Sequence, residues 1–70
     1  MIARHREVEG EVMRLVATHP GAQAAVIIGT LKATRGYWRH EVASAFAYLS
    51  NMGFISIDGE FSVWPAEARA

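Results

Sequence analysis

The chain has seventy residues, in which seven Lys or Arg balance seven Asp or Glu, with three His and no Cys. A chain of that length makes one small domain that buries only about 60% of the surface its unfolded form exposes, so oligomerisation would help it. The missing cysteines exclude a disulfide framework and a thiolate zinc site, and the balanced charge excludes attraction to polyanions by net charge alone. Affinity for nucleic acid therefore has to come from where the charges sit. No apolar run approaches the roughly 20 residues of a membrane span. The N-terminus carries Arg4, His5, Arg6 and Glu7 where a leader peptide would be apolar. A cytoplasmic protein with no membrane association is the expectation.

In chain order, the first element is an amphipathic helix from about Ile2 to Thr18, with Val8, Val12, Leu15 and Val16 at helical spacing. Gly10 in its middle costs about 1 kcal/mol against alanine, so the helix depends on packing against the rest of the domain. His19-Pro20-Gly21 ends it with turn chemistry. The second element, Ala22 to about Lys32, is apolar nearly all round and reads as a helix, with no strand expected between the first two helices. Val26, Ile27, Ile28 and Leu31 exceed the single stripe that one core needs. Two readings follow, a helix sandwiched inside its own domain or a homodimer interface built on Val26, Ile27 and Ile28.

A basic connector, Lys32-Ala-Thr-Arg-Gly-Tyr37, leads to the third helix, taken over 37–52. Its apolar residues Trp38, Val42, Ala45, Phe46, Leu49 and Met52 recur at steps of three and four. Gly53 stops it, glycine being the residue that most easily takes the left-handed conformation just past a helix end. From Phe54 to Trp64 apolar and polar residues alternate around Asp58-Gly59, a pair that supplies the positive φ angles of a tight hairpin turn. The expected core is Trp38, Val42, Phe46, Leu49, Phe54 and Phe61 or Val63, with Trp64 closing its edge. Residues 1–64 form the domain, and 65–70 are an alanine-rich, charged tail expected to fray.

Helix, helix, helix, hairpin is the order of a winged-helix domain, and the third helix resembles the recognition helix of winged helix-turn-helix proteins at residue level. Val42, Ala45 and Leu49 followed by Gly53-Phe54 match that family's apolar triad and its ending of leucine, three residues, glycine and an apolar residue. The resemblance implies an α+β fold, a three-helix winged helix-turn-helix with a C-terminal β-hairpin wing. It identifies a frame made of packing residues more than a function. The wing turn Asp58-Gly59-Glu60 is acidic where DNA-binding members commonly carry arginine or lysine. Ala43 and Ala47 stand where the left-handed-DNA readers of this fold place asparagine and tyrosine, so the chain is not of that subtype.

With Val42, Ala45 and Leu49 turned inward, the third helix presents Arg39, His40, Ala43, Ser44 and Ala47 outward. Arg39 can read guanine bidentately, His40 and Ser44 can reach bases or phosphates, and the small alanines let a helix approach the major groove closely. Lys32 and Arg35 stand just before it and can hold phosphates. A small DNA-binding regulator of transcription or another DNA transaction is the expectation, with Lys32, Arg35, Arg39, His40 and Ser44 as its site and double-stranded DNA as partner. The alternative is a protein-interaction module, a small inhibitor or adaptor of phage or mobile-element type, favoured by the neutral charge, the acidic wing and the apolar second helix. An enzyme is not expected, because His5, His19 and His40 lie on separate elements and the only aspartate, Asp58, sits in a turn. No cofactor or metal site is expected either, since Gly29-Thr30-Leu31-Lys32 lacks the rest of a phosphate loop and the histidines lack metal-ligand spacing.

Overall fold

The structure, a computed structural model, describes residues 2–66, with side chains from Arg4 onward. The elements are α1 (Ile2–Thr18), β1 (Ala22–Gln23), α2 (Ala24–Arg35), α3 (Arg39–Asn51), β2 (Ile55–Ile57) and β3 (Ser62–Pro65). The chain is α+β, three helices with a small antiparallel sheet, an arrangement compatible with a winged-helix frame. Among the described residues no helix is long and apolar enough to cross a membrane.

The core forms where the helical stripes meet. Val8, Val12, Leu15 and Val16 of α1, Ile27 and Leu31 of α2, and Val42, Ala45, Phe46 and Leu49 of α3 are buried together with Tyr37, Ile55 and Val63. Among the described residues no polar or charged residue is buried, and no buried side-chain nitrogen or oxygen lacks a hydrogen-bond partner. Two of the residues expected in the core lie outside it, Trp38 (67% exposed) and Phe54 (47%), and of the alternatives Phe61 and Val63 it is Phe61 that lies outside (69%). Met52, placed on the same stripe of α3, is exposed as well. Tyr37 takes the place expected for Trp38, and Val63 the one offered to Phe61 or Val63.

The sheet has the order β1-β3-β2. β1 corrects the expectation of an uninterrupted helix from Ala22: Ala22 pairs with Val63 and Gln23 with Ser62 before the helix begins. Gly21 prepares that pairing. Its φ of +86° turns the chain, and a Cβ there would lie 2.8 Å from the Trp64 ring, so the indole packs onto bare backbone. On the other edge Ile55, Ser56 and Ile57 pair with Pro65, Trp64 and Val63. β1 reaches only the first half of β3, which leaves Pro65 where no donor is missed. The sheet thus extends one residue into the segment read as a tail, and residues 67–70 of that tail lie outside the described residues.

The hairpin turn also differs from expectation. Gly59 does not carry a positive φ; Phe61 does, at +62°. The cause is the Asp58 carboxylate, whose Oδ1 accepts the N–H groups of Glu60 (2.9 Å) and Ser62 (3.0 Å) while Oδ2 accepts the Trp64 indole N–H (3.1 Å). With Phe61 N–H donating to the Asp58 carbonyl at 3.0 Å, the loop is a longer turn that ends in a left-handed residue.

Candidate functional site

The outer side of α3 is set by how the helix begins. Gly36, left-handed at φ +71°, ends α2 by donating its N–H to the Lys32 carbonyl. Tyr37 then turns into the core, and Trp38, extended at φ −71° and ψ 149°, is the N-cap. Trp38 has no side-chain acceptor for the exposed amides, so the helix start is held from the third position instead: Trp38 N–H donates to Glu41 Oε1 at 2.9 Å. Glu41 is held in turn by Arg4 of α1, whose Nε and second terminal nitrogen donate to the two carboxylate oxygens at 2.8 and 3.0 Å. The hydrogen bond from Arg4, then that from the Trp38 amide, pull the Glu41 carboxyl down to about 2.

Beside this pair the Tyr37 hydroxyl donates to Glu7 Oε2 at 2.6 Å, and the Arg4 guanidinium lies 4.9 Å from the centre of the Tyr37 ring. Burial first, and the bond to Glu7 second, push the phenol up to about 12. Arg4, Glu7, Tyr37 and Glu41 thus fix the start of α3 against α1. Of the four, the sequence marks Tyr37 as an aromatic anchor beside Trp38, and for the others its one signal is a glutamate three positions after the residue that starts the helix.

Of the five residues expected at the site, all are exposed. Lys32 sits in the last turn of α2, Arg39 opens α3, and neither makes an ion pair among the described residues. Arg35 differs: it reaches Glu11 Oε2 at 3.2 Å, and Glu11 is shared with Arg14 at 2.7 Å. Hydrogen bonding from Arg14, aided by the nearby Arg35 charge, holds the Glu11 carboxyl below its usual range. His40 stacks on Trp38 with ring centres 6.5 Å apart and planes 18° from parallel. Ser44, Ala43 and Ala47 line the solvent side, opposite buried Val42, Ala45 and Phe46. At the hairpin Glu60 is exposed, whereas Asp58 is engaged in holding the turn.

The second-helix triad is divided by the fold. Ile27 is 2% exposed and belongs to the core, so it is not available to an interface; Ile28 is half-buried against that core; only Val26 is exposed. Among the described residues no group of three or more His, Asp or Glu is placed to hold a metal ion. Compared with protein-family models, curated proteins and solved structures, the chain gives no significant match.

Proposed function

We propose that this chain is a small winged-helix DNA-binding regulator that lays the outer face of α3 in the major groove, with Lys32 and Arg35 on the flanking phosphates. What supports the reading is one observation: α3 buries Val42, Ala45, Phe46 and Leu49 and leaves Arg39, His40, Ala43, Ser44 and Ala47 in solvent, on a helix whose first turn is pinned. That combines close backbone approach with donors at the end of the helix that meets base edges. Arg35 brings less than Lys32, because contact with phosphate competes with its pair to Glu11.

Fluorescence anisotropy with a labelled duplex of random sequence at low salt tests the proposal, since phosphate contacts show there even when weak. Binding is expected, and Arg39→Ala should weaken it by roughly 1–3 kcal/mol and relax preference at one base pair. Lys32→Ala should weaken all sequences alike and reduce the salt slope by about one. Absence of binding at low salt overturns the reading.

A second reading, a protein-interaction module on the same frame, is favoured by a specific observation: Val26, Trp38, Tyr48, Met52, Phe54 and Phe61 are all large, apolar and exposed. Glu60→Lys separates the two. It should tighten DNA binding if the hairpin lies along phosphates, and leave DNA unaffected if only a protein docks there.

A further inference from the structure

Two openings along the seam between α1 and α3 join into one groove. The first, about 400 Å³, is bordered by Arg4, His5, His40 and Ser44; the second, about 410 Å³, by Arg6, Gly10, Met13, Leu49 and Phe54. Glu9 and Tyr48 line both, so the groove runs past them from a polar end to an apolar one. Three features at the join have no explanation in the packing of the domain itself. Tyr48 and Phe54 are each 47% exposed beside the apolar end. Gly10 weakens the middle of α1, yet a Cβ at that position would meet nothing within 4 Å.

Glu9 is the third. Glu7, Glu11 and Glu41 each have a partner, in Tyr37, in Arg14 with Arg35, and in Arg4. Glu9 is half-buried, and among the described residues its carboxylate makes neither a hydrogen bond nor an ion pair. Its carboxylate lines the groove without a donor from the domain, and a cation arriving from outside gives it the charge-assisted hydrogen bond that the domain does not supply. Arg6, three residues away, is exposed on the rim, where solvent screens its repulsion of an incoming cation.

We infer that this groove docks a segment of another protein that carries a lysine or arginine to meet Glu9 and, close beside it, a large apolar side chain to enter the pocket of Met13, Leu49 and Phe54. The bare backbone at Gly10 lets that segment lie close to α1. The inference rests on Glu9 and the apolar end of the groove, not on His40 and Ser44, which also belong to the face proposed for DNA.

Random short peptides displayed on phage, panned against the full chain, supply the test. The sequences enriched should share a basic residue next to a large apolar one. Synthetic copies should lose about tenfold in affinity when Glu9→Gln is introduced, the effect of removing the charged partner of a hydrogen bond. They should lose a similar factor with Phe54→Ser. Replacing the peptide's own basic residue by norleucine must give the same loss against unaltered protein, which keeps the test valid if a variant misfolds. No enrichment, or enriched peptides that bind Glu9→Gln and the norleucine exchange as tightly as their parents, overturns the inference. So does a protein that sediments as a dimer by itself and becomes monomeric with Glu9→Gln, because a second copy would then fill the groove.

Discussion

The two ends of α3 are fixed by different physics. At its C-terminus the helix closes with its own backbone: Phe54 N–H donates to the Leu49 carbonyl at 2.9 Å and Gly53 N–H to the Ser50 carbonyl at 3.1 Å, around a glycine at φ +81°. At its N-terminus the local bond from Trp38 N–H to Glu41 is itself held from another helix. The start depends on side chains from α1, Arg4 and Glu7, that lie 37 residues from Glu41 and 30 from Tyr37. A backbone cap is a property of a few adjacent residues, whereas the N-terminal clamp exists only once α1 and α3 have docked. The end of the helix proposed to read DNA is therefore the end most coupled to the rest of the fold.

The largest expected effect strikes the clamped end. Tyr37 is 1% exposed, and Tyr37→Ala should cost about 3–5 kcal/mol, as removal of a buried aromatic ring does. In so small a domain, where total stability is of order 5–15 kcal/mol, that loss is a large share of the total. A urea midpoint lowered by less than half a kilocalorie equivalent would put the ring outside the core and dissolve the contrast.

At the backbone-capped end the expected loss is smaller. Gly53→Ala forces a Cβ into the left-handed region, at about 1–2 kcal/mol. Open space surrounds that position, so the cost is conformational and not a clash. Gly53→Asn should recover part of it, since asparagine tolerates this conformation. If alanine and asparagine proved equally neutral by thermal denaturation, the glycine would not be what closes the helix.

Acid and alkali probe the clamp itself. Glu41 has a carboxyl pulled down to about 2, so its contribution is fully present above the ordinary carboxylate range and is lost as pH falls towards 2. Tyr37 is the mirror case. Its phenol is pushed up to about 12, so its contribution holds below the ordinary tyrosine range near 10 and is lost as pH rises towards 12. Glu41→Gln keeps an acceptor for the Trp38 amide and removes the charge. The stability gap between wild type and Glu41→Gln should therefore be present at pH 7 and close in acid. The effect is modest because Arg4 is open to solvent, and a gap that stayed constant down to pH 2 would show that the charge pair is idle.

Legibility in the sequence follows the same division. The bounds of α1, the buried set Val42, Ala45, Phe46 and Leu49, and the stop at Gly53 were readable because each depends on helical phase or on one residue's conformational preference. Phase fails at the caps. Trp38 and Met52 belong to the α3 stripe only if the helix continues through them, but Trp38 is extended and Met52 is the C-cap, so both side chains leave the stripe. β1 was invisible because its two residues form a strand only when β3 arrives to pair with them. At the hairpin the Asp-Gly signal was real but incomplete, since Asp58 takes its donors further along the chain and moves the left-handed residue to Phe61. For the candidate site, exposure of Arg39, His40 and Ser44 could be read from phase. That Arg35 is tied to Glu11 across 24 residues could not.

The smallest effect is expected next door to the largest. Trp38→Ala removes one of the chain's two indoles from a position 67% exposed. Its structural duty is carried by the backbone, because the N–H that meets Glu41 and the carbonyl that accepts the Glu41 and Val42 amides all survive the substitution. What disappears is the stacking on His40, an exposed contact between two side chains that water can solvate separately. Stability should therefore change by less than about 0.5 kcal/mol, within the range of ordinary surface substitutions. Alanine is a poorer N-cap than serine or aspartate, but tryptophan also makes no side-chain cap bond here, so no cap is lost. The pair Tyr37→Ala and Trp38→Ala, measured together in urea, thus compares adjacent aromatics with opposite orientation. A loss above about 2 kcal/mol for Trp38→Ala is the range of core truncations, and it would mean that the helix phase does run through the cap, with the indole, not the phenol, anchoring α3 to α1.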